Sequence, residues 1–175
     1  MKESDGDRAC VPARLAWCGH AAFVLGLLYA LVSAYWAAGG TAGLDTLGGE
    51  LERLARARDP LMIAMVWLIA GLKLVAAVLG PALVQSWGRR FPRWMLLTLS
   101  WGAATVLVLY GGLLVGGQRL VKTGVLEASP DMDWTAFNWH LFLWDPWFLI
   151  WGLLLGAVTW SSTRRRTERT SEMDV

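Results

Sequence analysis

Residues 15–38, 61–84, 94–117 and 141–160 of this 175-residue chain form four runs of 20 to 24 residues, and together they hold only two formal charges, Lys73 and Asp145. A helix rises about 1.5 Å per residue, so roughly 20 apolar residues cross the ~30 Å hydrocarbon core of a bilayer. Each run therefore predicts a transmembrane helix, and residues 15–160 together predict one domain, an all-α integral membrane four-helix bundle. Composition agrees: 55% of the residues are hydrophobic and 17% charged, against about 45–50% and about 25% in soluble domains. That balance excludes a disordered chain and argues against a soluble enzyme. The net charge is only +2 and the basic residues sit at the edges of apolar runs. No nucleic-acid footprint results, and the lipid bilayer is the expected partner.

A cleaved signal peptide competes for the first run. Its apolar region would span only about 7–15 residues behind a basic leader poor in acids, whereas this run has 24 uncharged residues behind Glu3, Asp5 and Asp7. A retained anchor is expected. Cytoplasmic loops keep Lys and Arg, and acids contribute little to orientation. Lys2, Arg8, Arg14, Arg89, Arg90, Arg93, Arg164, Arg165, Arg166 and Arg169 fall on one side; Arg53, Arg56, Arg58, Arg119 and Lys122 fall on the other. The ten-to-five asymmetry predicts N-in/C-in topology, with residues 1–14 a cytoplasmic tail and 161–175 a basic, disordered cytoplasmic tail. The short connection 85–93 makes the second and third helices antiparallel neighbours.

Tryptophan prefers the headgroup region. Trp17, Trp87, Trp94 and Trp160 mark the inner boundary, Trp36, Trp134, Trp139 and Trp144 the outer one, while Trp67, Trp101 and Trp151 lie deeper as packing residues. Membrane helices meet through small residues. The first run carries Ala22, Gly26, Ala30, Ala34 and Ala38, the third Gly112 and Gly116, the fourth Gly152 and Gly156. That spacing suits a compact bundle and equally a helix-mediated homo- or hetero-oligomer.

Short amphipathic helices are expected in the outer loops. Leu47, Leu51 and Leu54 repeat at helical spacing with Glu52 four residues before Arg56, as in an interfacial helix or a solvated connection with an ion pair. Ser129, Pro130, Asp131 and Asp133 precede Trp134, Phe137, Leu141 and Trp144, a helix-start pattern rather than a metal site.

The sequence contains no C-x-x-C, H-E-x-x-H, G-x-S-x-G or phosphate-binding glycine loop, which removes support for thiol exchange, zinc proteolysis and nucleotide-driven work. Cys10 and Cys18 both fall on the predicted cytoplasmic side, where thiols stay reduced. Cys18 is read as an inert thiol or a palmitoylation site. His20 lies near the inner boundary and His140 at the outer one, so they cannot share a haem. No cofactor is expected. Charges in hydrocarbon are costly and usually face a bundle interior. Counting rises from the boundaries places Lys73, Asp145, Tyr29, Ser33, Tyr110 and His140 in one polar layer in the outer half. Three readings of its charges stay open: Lys73 pairs with Asp145, Lys73 snorkels, or Asp145 caps a helix restarting at Pro146.

The stretch Ser33-Ala34-Tyr35-Trp36-Ala37-Ala38-Gly39-Gly40 with Gly43-Leu44-Asp45, and the stretch Trp139-His140-Leu141-Phe142-Leu143-Trp144-Asp145-Pro146-Trp147, resemble a family of small actinobacterial membrane proteins catalogued as domain of unknown function three-nine-nine-five. The resemblance covers nearly all of residues 15–160. It implies a four-helix integral membrane protein of the bacterial plasma membrane and supplies no activity, substrate or cofactor. Members often carry histidine where Ser33 stands, a departure that weakens any shared chemistry for that histidine here. The leading reading is a non-enzymatic protein with a structural or partner-binding role; the alternative is small-solute or proton handling through the polar layer.

The topology has a direct test. In an otherwise cysteine-free chain, Thr41→Cys reacts with a membrane-impermeant maleimide on intact cells and Thr167→Cys reacts only after lysis; the reverse pattern contradicts the charge argument.

Overall fold

A computed structural model describes residues 13–130 and 132–173, with side chains for 15–130 and 132–164. Lys2, Glu3, Asp5, Asp7, Arg8, Cys10 and Asp131 lie outside the described residues, as do the side chains of Arg14, Arg165, Arg166 and Arg169. Every regular element among the described residues is helical: α1 (Ala13–Ala37), α2 (Gly49–Arg56), α3 (Pro60–Val84), α4 (Arg93–Lys122), α5 (Trp134–Trp139) and α6 (Asp145–Met173), with short 3₁₀ turns at Leu44–Thr46 and Ser86–Arg90. Four spans, Leu15–Ala37, Pro60–Val84, Arg93–Lys122 and Trp134–Arg164, are long and apolar enough to cross a membrane, so the chain is a multi-pass membrane bundle.

Local chemistry sets the ends of these helices. Asp59 caps α3 by accepting from the Met62 amide at 2.9 Å, with Pro60 in the first turn where its missing N–H costs nothing. α4 runs five residues beyond the expected boundary at Gly117. It stops at Gly124, whose φ of 77° lets the chain turn back with its amide on the Val121 carbonyl. Asp133 caps α5 through the Thr135 and Ala136 amides, so the helix start falls there and not at Ser129-Pro130. α2 and α5 supply the short helices expected in the two loops, and Glu52 pairs with Arg56 at 2.7 Å. At the other end, α6 continues past Ser161 to Met173 as helix, where the sequence suggests a disordered tail.

Helix neighbours are decided by small residues. α1 packs chiefly on α3 and also on α6, and α4 packs chiefly on α6. α3 and α4, expected as close neighbours from their short connection, touch much less. At the α1–α3 crossing the backbones of Gly19 and Gly80 meet so closely that a Cβ on Gly80 would fall on the Gly19 carbonyl oxygen. Farther along, Gly26 and Ala77 leave the space that the Trp151 indole fills. Trp151, Leu155, Val158, Ala22 and Ala77 have no exposed surface at all. Between α4 and α6 the close approaches are at Gly111 and Gly152. Gly112 barely reaches Leu149 and Gly116 meets nothing, so that expected pair makes no interface within the bundle.

Two tryptophan assignments change. Trp144, expected in the outer belt, is buried at 7% exposure with its indole N–H on Thr46 Oγ1. Trp67, expected to pack inside, is 49% exposed on the outer face of α3. Trp151 packs as expected, and Cys18 is buried in the core.

Because the Gly19–Gly80 contact is backbone to backbone, Gly80→Ala forces the helices apart, an overpacking cost of about 1–3 kcal/mol. Gly71 has open space around its Cα. Thermal melts in one detergent are expected to show a lower midpoint for Gly80→Ala and no loss for Gly71→Ala.

Candidate intramembrane polar site

The end of the bundle that carries the 38–59 and 123–133 connections holds both charges, in two separate arrangements. α1 contributes Tyr29 and Ser33 one turn apart. The buried Ser33 hydroxyl donates to the Tyr29 carbonyl at 3.1 Å and accepts from Lys73 Nζ at 2.8 Å. Lys73, reaching across from α3, also lies 3.7 Å from the centroid of the Tyr29 ring and 5.5 Å from that of Phe148. An ammonium over an aromatic face is attracted by the ring quadrupole, by up to about 2 kcal/mol once water is excluded. The hydroxyl and the ring thus stand in for the hydration that Lys73 gives up.

Tyr29 in turn packs against Trp144, Trp147 and Phe148, with centroids 5.5, 5.5 and 4.6 Å away. Trp147 donates its indole N–H to the Leu25 carbonyl of α1 at 3.1 Å. This aromatic cluster joins α1 to α6.

Asp145 is 1% exposed and turns toward α4. Its Oδ2 accepts from Gln118 Nε2 at 2.5 Å, and its Oδ1 lies 3.6 Å from His140 Nδ1. The backbone explains the placement. Residues His140–Trp144 form a π-helical stretch, and Asp145 itself is helical at φ −80°, ψ −40°. A proline in a helix has no amide to donate and its ring crowds the carbonyl four residues back. The wider π turn immediately before Pro146 accommodates both effects and carries the helix through. Asp145 therefore does not cap a restarting helix.

Nor does it pair with Lys73: among the described residues no ion pair joins them, and each takes the partners named above. The physical reason is azimuth. Asp145 follows Trp144 by one residue, about 100° around the helix, so Trp144 faces Tyr29 on α1 while Asp145 faces Gln118 on α4. Of the six candidate residues, Lys73, Ser33 and Tyr29 form one group and Asp145 and His140 another. Tyr110 is 51% exposed and meets Phe148 edge-on at 5.1 Å, outside both groups.

Gln118 escapes the sequence reading because its span is taken to end at Gly117; the signal that would extend it is Gly124, the C-terminal stop. Trp144 and Trp147 escape as site residues because indoles near a boundary read as belt. The described residues hold no cluster of three His, Cys, Asp or Glu side chains, and the polar atoms gathered here are suited to hydrogen bonding and to holding charge.

The glycine turn after α1 completes this end. Gly39 has φ 107°, and Trp36 donates its indole N–H to the Ala42 carbonyl at 2.9 Å. The two motif stretches, Ser33 through Gly40 and Trp139 through Trp147, lie inside residues 26–155, which match the family described as "Protein of unknown function (DUF3995)". The chain belongs to that family. No curated protein and no solved structure matches it. The resemblance stated from the two motifs holds, and each residue of Trp144-Asp145-Pro146-Trp147 now has a structural role in the family member described here.

Groups in direct contact couple by about 0.5–3 kcal/mol in double-mutant cycles. Thermal stability in detergent is expected to show coupling for Ser33→Ala with Lys73→Met and for Gln118→Leu with Asp145→Asn. The Lys73→Met, Asp145→Asn cycle is expected to show less than either.

Proposed function

We propose that this protein is a non-catalytic component of the bacterial plasma membrane, with both termini cytoplasmic, that works by presenting a fixed helical surface to partner helices. The closed centre of the bundle carries this reading. Trp151, Leu155 and Val158 are sealed against Ala22 and Ala77, and neither the apolar groove between α4 and α6 nor the small pocket between Trp36 and Met62 is lined by Lys73 or Asp145. A solute path would need polar groups facing a continuous opening, whereas these charges face side chains of the same chain.

The outer face of α3 supports the partner-binding part. Leu61, Met65, Leu68, Leu72 and Val75 are all exposed, and their alternating spacing of four and three residues is that of a helix-packing seam. Ala64 and Gly71 open beside that seam, where small residues permit close approach of another helix.

Proton handling is the second reading, favoured by one observation. His140 and Asp145 stand 3.6 Å apart beside the buried Gln118 Oε1, which has no hydrogen-bond partner.

Proteoliposomes loaded with a pH-sensitive dye separate the two. The expected result is proton flux no higher than in protein-free vesicles, together with a discrete cross-linked product in native membranes from a photo-reactive residue at position 68 and none from one at the exposed position Val106. Flux above background that Asp145→Asn abolishes would overturn the scaffold reading in favour of proton handling.

A further inference from the structure

Toward the opposite end of the bundle from the polar site, small residues at the α4–α6 contact leave an apolar groove of 540 Å³. Its floor is made by residues with little or no side chain, Ala104, Gly152, Gly156 and Ala157, and its walls include Trp101 and Trp160. On α6 the groove residues Leu153, Ala157 and Trp160 are spaced by four and three, and the next position in that series is Arg164. Groove and cation therefore lie on one helix face. The Arg164 guanidinium stacks 5.1 Å from the Trp160 ring centroid and remains exposed. A second exposed cation, Arg93 at the start of α4, donates to the Ser162 carbonyl at 2.7 Å, next to Ser161 of the groove lining. The concavity runs from mid-span, at Leu109 and Leu153, to a mouth with two tryptophans and two arginines.

That sequence of surfaces along the membrane normal matches one ligand class. An acyl chain needs an apolar slot, a glycerol backbone sits at indole level, and a phosphodiester needs guanidinium donors in forked geometry. We infer that the α4–α6 groove is a binding site for an anionic phospholipid, one acyl chain in the slot and the phosphate at Arg164 and Arg93. A partner helix from a second copy would bring its own apolar side chains to the groove but no phosphodiester to the exposed Arg164 guanidinium at its mouth. Charge complementarity at the mouth favours the lipid. The site is separate from the partner face on α3 and does not depend on it.

The test uses the full chain in mild detergent, delipidated and then exposed to equal amounts of dioleoylphosphatidylglycerol and dioleoylphosphatidylcholine, with retained lipid read by native mass spectrometry. A juxtamembrane cation contributes roughly a five-fold preference for anionic lipid. The expected result is retention of the glycerol lipid over the choline lipid by at least that factor. Arg164→Gln is expected to reduce the preference about five-fold, and Arg119→Gln, at the other end of α4, to leave it unchanged. Gly156→Leu, which fills the slot, is expected to lower retention of both lipids. Because Arg164 is exposed, its variant tests headgroup selection even where Gly156→Leu fails to fold. Equal retention of the two lipids overturns the proposal, as does a dimer mass that Gly156→Leu abolishes.

Discussion

The indole of Trp151 has no exposed surface, and it can occupy the middle of the bundle only because Gly26 and Ala77 offer it nothing larger than a methyl group. In a bilayer, lipid tails are as apolar as the helices, so association rests on close packing rather than on escape from water. A large rigid side chain enclosed by small ones supplies many such contacts at once. The Gly19–Gly80 crossing on one side and the Gly111 and Gly152 approaches on the other follow the same rule, and together they set which helices are neighbours. Connection length does not: of the four spans, α3 and α4 share the shortest link yet pack mainly on α1 and α6.

Once those neighbours are set, the two charges in the spans have little freedom. Lys73 faces α1, where Ser33 and the Tyr29 ring receive it; Asp145 faces α4, where Gln118 donates to it. Desolvation makes each charge costly, and each is offset by its own nearby partners rather than by the other charge in the spans. Tyr29, packed on Trp144, Trp147 and Phe148, links the lysine to α6 through aromatic contacts. The Trp-Asp-Pro-Trp segment thus directs successive residues to three elements: Trp144 to Thr46, Asp145 to Gln118, and Trp147 to the backbone of α1.

The bundle leaves two unlike surfaces facing lipid. The α3 face is a convex seam of aliphatic side chains, whereas the α4–α6 groove is concave and ends in arginines. A convex seam and a concave slot with a cationic mouth differ in the shape and charge of the neighbour that each would fit.

The number of spans, their approximate limits and the short helices in both loops were legible in the sequence, because hydrocarbon thickness and backbone hydrogen bonding constrain each segment by itself. Residue count along each helix also set Lys73, Ser33, Tyr29, Asp145 and His140 at a similar level, and the structure gathers the first three in one group and the last two in another. Azimuth does not follow from that count. Which side of α6 faces α1 depends on the π turn before Pro146 and on where glycines let backbones touch, and both involve residues on different helices at once. For that reason the lysine's partners, the capture of Asp145 by Gln118, the burial of Trp144 and the outward turn of Trp67 were decided by the tertiary structure alone.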